Sequence, residues 1–96
     1  MSMENRTLII DGASVGGMEQ LHCRFYAAFD FPECYGENLD ALHDCLTDIM
    51  EYDAVIRVTN ASALEQSLGE KTAAALRRVL NDCAAENPHI TVEFIG

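Results

Sequence analysis

Three short runs rich in β-branched and aliphatic residues constrain this chain most: Thr7–Ile10 (TLII), Ala54–Val58 (AVIRV) and Ile90–Ile95 (ITVEFI). Such runs suit buried strands. The first ends at Asp11-Gly12, a turn signal. Each gap between them holds two segments with helical apolar spacing, so the gaps are far too long for hairpins. Long helical connections favour parallel pairing with right-handed crossovers. The spacing therefore predicts an α/β fold, a three-stranded parallel sheet packed with about four helices.

The helical segments follow from periodicity and punctuation. Between Gly17 and Phe29, Met18, Leu21, Phe25 and Phe29 fall on one face. His22, beside Leu21 and Phe25, reads as a half-exposed packing residue. Pro32 stops that helix, and Phe31 before it is biased to an extended conformation. A second helix starts at Leu39 and is expected to close at Glu51-Tyr52-Asp53. A short third runs to Leu68, capped by Asn60 or Ser62. The fourth runs from Glu70 to Glu86 and buries Thr72, Leu76, Val79, Leu80 and Cys83, with Pro88 beyond its end. No repeat, low-complexity stretch or linker divides the chain, so residues 1–96 are expected to form one domain.

The second helix is unusual in its charge. Asp30, Glu33, Glu37, Asp40, Asp44, Asp48, Glu51 and Asp53 are 8 of the 16 acids, and no Lys or Arg lies between Arg24 and Arg57. Leu39, Leu42, Leu46 and Ile49 form its apolar stripe; Asp40, His43, Asp44 and Thr47 form the opposite one. Asn38 stands at the N-cap position, and Gly36 suits a turn that needs positive φ. Asp40 and Asp44, four residues apart, repel each other by about 0.2–0.5 kcal/mol. The helix dipole offsets part of this at Asp40 and less at Asp44. Asp82 and Glu86 form a second acidic pair with the same spacing, at the carboxyl end of the last helix, where the dipole favours cations.

Composition excludes several classes. The net charge is −10 and the pI about 4.4. Phosphate contacts need a basic patch, so direct nucleic-acid binding and an acidic membrane surface are disfavoured. A basic protein partner, drawn in by opposite fields, suits the charge. MSMENRTLII lacks the pattern of a signal peptide and no apolar run reaches membrane-spanning length, so a cytoplasmic chain is expected. Cys23, Cys34, Cys45 and Cys83 form no CxxC pair and no Cys/His ligand spacing. They are expected to be free thiols, with no metal and no cofactor.

Tyr35-Gly36-Glu37-Asn38-Leu39-Asp40-Ala41-Leu42, followed by Asp44-Cys45-Leu46-Thr47, resembles the signature segment of barstar, the intracellular inhibitor of the ribonuclease barnase. The order of elements on either side fits as well. The resemblance implies the barstar-like fold, no catalysis, and a function as inhibitor of a secreted, barnase-like ribonuclease, whose basic active site is blocked by the acidic helix and the loop before it. It implies partner-binding roles for Asp44 as the central carboxylate and for Asp40 beside it. Cys34, Tyr35, Gly36, Asn38, His43, Thr47, Asp82 and Glu86 complete the implied contact set. The chain departs from the family at three aromatic positions: His43 and Ile49 stand where Trp is usual and Cys34 where Tyr is usual. Those departures leave open an immunity or regulatory module, as in toxin–antitoxin pairs, that binds a different basic protein or toxin.

Residue chemistry offers two other readings. Cys34, His43 and Asp44 are the residue types of a thiol nucleophile, base and orienter, but an acidic loop disfavours the thiolate. His43 and Asp44, adjacent on a helix, are also expected to point in different directions. Carboxylates at i and i+4 with His43 could hold a hard cation, yet no regular oxygen-ligand loop is present. The unbound chain is expected to be a monomer.

Overall fold

The computed structural model describes residues 4–96. Met1, Ser2 and Met3, the start of the stretch read above for a leader, lie outside it. The elements run β1 (Glu4–Asp11), α1 (Met18–Phe29), α2 (Leu39–Thr47), β2 (Tyr52–Thr59), α3 (Ala61–Leu68), α4 (Glu70–Glu86) and β3 (Ile90–Phe94). The three strands form one sheet in the order β1-β2-β3, and both pairings are parallel. The expected α/β, barstar-like architecture of three parallel strands and four helices is therefore what the chain adopts.

β2 lies at the centre because its partners come from both sides in sequence. Glu4 pairs with Tyr52 and Asp11 with Thr59 on one side; Ala54 pairs with Ile90 and Val58 with Phe94 on the other. Its alternate residues Tyr52, Ala54, Ile56 and Val58 are buried, while Asp53, Val55, Arg57 and Thr59 are half-buried. One face of the sheet thus carries the core. There it meets Leu21, Phe25 and Phe29 of α1, Leu42 and Leu46 of α2, and Leu76, Leu80 and Cys83 of α4. Full burial of each such side chain stabilises the fold by about 1.5–3 kcal/mol.

Several local expectations are corrected. β1 is longer than Thr7–Ile10 and β3 ends at Phe94. α2 stops at Thr47, so Glu51-Tyr52-Asp53 does not close it; Tyr52 and Asp53 already belong to β2. Ile49 continues the apolar period but lies beyond the helix, buried in the core. Leu39 at the other end is only half-buried. Asn60 stands at the N-cap of α3, as one of the two expected positions, but its backbone is left-handed (φ 51) and its side chain makes no cap bond, donating instead to Asp11 Oδ1 at 2.8 Å. Asp11 also accepts the Ala13 N–H at 2.9 Å, and these two donors, Asn60 first, hold its carboxyl below its ordinary range. His22 is buried rather than half-exposed, with Nδ1 2.5 Å from the Tyr35 hydroxyl. Burial holds its imidazole below its ordinary pKa.

Candidate functional site

The loop before α2 and the first turn of α2 set the geometry. Asn38 takes an extended backbone (φ −138) and its Oδ1 accepts the Ala41 N–H at 2.8 Å, as an N-cap should. The positive φ falls on Glu37 (φ 51), not on Gly36. A Cβ at Gly36 would lie 3.2 Å from Asn38 Nδ2, so a larger residue would ask the capping side chain to shift by a few tenths of an ångström. Tyr35 turns inward: its ring packs edge-on against Phe31 at 5.0 Å between centroids and its hydroxyl meets His22. Burial raises its phenol above the ordinary value. Cys34 and Gly36 are exposed.

α2 packs against α4. Leu42 and Leu46 face inward with no exposed surface, while Asp40 and Asp44 face solvent. The Asp44 side chain retains 81% of its accessible surface. Thr47 is half-buried, and its hydroxyl donates back to the carbonyls of His43 (2.9 Å) and Asp44 (3.2 Å), so it is committed to its own helix. On α4, Asp82 and Glu86 are exposed and flank the buried Cys83. The Cys83 thiol is pushed up to about 12 by burial first, then by Glu86, Asp82 and Asp44. Three of the expected acids, drawn from two helices, therefore share one neighbourhood. Asp40 stands a turn away from Asp44 along α2.

His43 ties the helices together. Its Nε2 lies 2.5 Å from Glu86 Oε2 and its Nδ1 3.7 Å from Asp44 Oδ1. The hydrogen bond to Glu86, then the fields of Glu86 and Asp44, raise its pKa against the lowering effect of burial. The expectation that His43 and Asp44 diverge is thus corrected: the ring reaches both neighbours at once. Local spacing could not have found the Glu86 contact, which joins residues far apart in sequence.

Asn87 was missed from the sequence and holds the frame. It is buried at 5% exposure, and its Nδ2 donates to the carbonyls of Ile49 (2.8 Å), Leu46 (3.1 Å) and Thr47 (3.3 Å). Leu46 and Thr47 belong to the last turn of α2, whose carbonyls lack full helical partners, and Ile49 lies just beyond it. Pro88 holds Asn87 in an extended conformation (φ −125, ψ 111), off the axis of α4. An Asn-Pro pair at a helix end was the available signal.

Three of the six Lys and Arg side chains are engaged elsewhere. Arg6 bonds Asp30 at 2.9 Å and covers the Tyr52 ring, Arg57 bonds Glu93 at 2.9 Å, and Arg77 covers Phe94. Among the described residues no Lys or Arg makes an ion pair with Asp40, Asp44, Asp82 or Glu86. All four cysteines are free thiols, and among the described residues no group of three or more His, Cys, Asp or Glu could hold a metal ion. Among the described residues no helix is long and apolar enough to cross a membrane.

Comparison with known proteins bears on this acidic, two-helix face. A family model described as Barstar (barnase inhibitor) matches residues 5–95. The chain is also 39% identical over 64 residues to a protein of Bacillus subtilis (strain 168) named "Putative ribonuclease inhibitor YrdF", a match that covers 67% of this chain and 70% of that one. Members of this family are inhibitors and not enzymes, which sets aside the thiol-nucleophile reading of Cys34, His43 and Asp44. With the sheet, the capped acidic helix and the family match in agreement, the chain belongs to the barstar family, whose role is ribonuclease inhibition.

Proposed function

We propose that this chain, as a single domain of residues 1–96 and a monomer when unbound, inhibits a basic, barnase-like ribonuclease in the cytoplasm. It does so by seating the face formed by α2, the loop before it and the end of α4 in the enzyme's active site. A ribonuclease holds phosphates with cationic side chains, and carboxylates presented at the same spacing accept the same charge-assisted hydrogen bonds. Asp44 is the central group in this reading, with Asp40 beside it and Asp82 and Glu86 on the neighbouring α4. Gly36, Asn38, Thr47 and Cys34 form the edge, and Tyr35 supports the loop from beneath. Catalysis, metal and cofactor play no part.

The observation that carries the reading is Asp44 itself. It is a highly exposed carboxylate on a helix anchored by Leu42 and Leu46, and no Lys or Arg neutralises it. A rigid helix avoids the ordering cost that mobile acids would add on binding. A second reading, a different basic protein or toxin as partner, is favoured by the face's lack of large aromatic anchors, with Cys34 exposed and His43 occupied by Glu86.

The test is inhibition of RNA cleavage by a barnase-type, guanyl-specific ribonuclease, with the protein and its Asp44→Ala variant titrated at moderate salt. Stoichiometric inhibition that Asp44→Ala weakens strongly supports the reading. A folded protein that binds a basic partner without protecting RNA favours the second one.

A further inference from the structure

His43 sits between two acids that the proposed partner must reach. Both ring nitrogens face carboxylate oxygens, Nε2 toward Glu86 Oε2 at 2.5 Å and Nδ1 toward Asp44 Oδ1 at 3.7 Å. Only an imidazolium carries a proton on both nitrogens. A neutral ring satisfies one contact and turns a lone pair toward the other carboxylate. The close contact with Glu86, with Asp44 also within ion-pair range, favours the charged ring.

The surroundings reinforce this. On its own helix His43 faces Asp44, with Asp40 a turn earlier. On α4, which packs against α2, it faces Glu86, with Asp82 one turn back. The Cys83 thiol lies 3.9 Å from the His43 carbonyl and stays neutral across the ordinary pH range. Among the described residues no Lys or Arg is paired with these acids. Among the described residues His43 is the one basic side chain in contact with these acids, and it keeps 33% of its surface exposed, within reach of a docking protein.

We propose that His43 acts as a proton-carrying clasp that competes with the partner's cations for Asp44 and Glu86, so that docking on this face expels the His43 proton. This rests on the reading of the face as the inhibitory surface, and it names how that surface is regulated and what it selects. A guanidinium or ammonium placed against Asp44 and Glu86 takes the imidazolium's two acceptors and repels its charge. By linkage, whatever lowers the His43 pKa on binding makes affinity rise with pH. Below the raised free-state pKa the proton must leave; above it the face is already open. The clasp disfavours weakly cationic partners, whose side chains cannot displace the proton.

The experiment measures the dissociation constant with a barnase-type ribonuclease from pH 5.5 to 8.5 at fixed ionic strength. It compares the protein with His43→Gln, which cannot take a proton, and His43→Lys, which keeps a charge throughout. The ratio of wild-type to His43→Gln dissociation constants should fall as pH rises, by at most about tenfold per pH unit. His43→Lys should show no such fall. The ribonuclease's own titrations are common to all three proteins and cancel in the ratios. In parallel, the His43 ring protons, followed by NMR, should titrate above the ordinary histidine range in the free protein, at a lower pH in Glu86→Gln, and lower still in the complex. A ratio that stays flat across the range overturns the clasp and leaves the inhibitor reading standing. Absence of inhibition by all three folded proteins at every pH overturns both.

Discussion

Replacing Asn87 with alanine removes one buried amide and leaves the end of α2 without its donor. Three carbonyls lose a partner, but not equally. Leu46 keeps the Ile49 N–H at 3.2 Å, and the Thr47 carbonyl is only partly buried, so water can serve it. The Ile49 carbonyl, bonded at 2.8 Å in a buried contact, has no other donor among the described residues. An orphaned buried acceptor costs about 1–3 kcal/mol, and the His89 N–H, which loses Asn87 Oδ1 at 2.9 Å, adds roughly a further 0.5–1 kcal/mol. The expected loss is about 1.5–4 kcal/mol, a large share of the 5–15 kcal/mol typical of a domain. Urea unfolding followed by far-UV circular dichroism should show a lower midpoint with an unchanged slope. Thermal unfolding should drop by about 4–8 °C for each kcal/mol lost. Asn87→Asp should cost more than alanine at neutral pH, because a carboxylate would face the same carbonyl oxygens, and should partly recover in acid as it regains a proton to donate. A loss below about 0.5 kcal/mol for Asn87→Ala would refute the reasoning, since water would then serve the helix end as well as the amide does.

Other outcomes follow from the same contacts. Gly12→Ala should destabilise by about 1–3 kcal/mol, because a Cβ there would meet the Asn60 carbonyl and lie 2.7 Å from Leu64 Cβ; a variant as stable as the parent in urea would contradict it. His22, whose folded pKa is lowered by burial, binds fewer protons folded than unfolded. Stability should therefore fall as pH drops through the unfolded histidine value of about 6.5, and His22→Asn should flatten that limb of the profile. For His43, whose folded pKa is raised, the sign reverses: its contribution is present below about 6.5 and is lost as pH rises through the folded value. His43→Gln should therefore remove a decline on the alkaline side. Asp44→Ala should weaken binding of a barnase-type ribonuclease by more than about 2 kcal/mol, the general mark of a central contact. Glu51→Ala, beyond the end of α2, should mainly change the salt dependence of association; equal losses from both would mean only diffuse charge is used.

Much of this was legible from local pattern. All seven elements and the parallel sheet follow from strand runs separated by helical periods, and Asn38 caps α2 as its position predicts. The misreadings share one cause, contacts between residues distant in sequence. Ile49 keeps the helical period, yet the helix has already ended, because Asn87 gathers the terminal carbonyls. Asn60 looks like a cap, but Asp11 claims its side chain. His22 reads as half-exposed until Tyr35 folds over it. At the site, the acids were visible as spacing on each helix. The bridge from His43 to Glu86, which joins the two pairs, was not.

The central position of β2 bears on how the chain is made. Its pairing with β1 joins residues about half the chain apart, and its other edge waits for β3. Long-range parallel pairing is slow because loop closure must come before the contacts that compensate it. The acids of α2 leave the ribosome before α4 and Asn87, on which their frame depends. A chain made only as far as α2 therefore presents negative charge without a fixed geometry, and the acidic two-helix face forms only once α4 and Asn87 have followed.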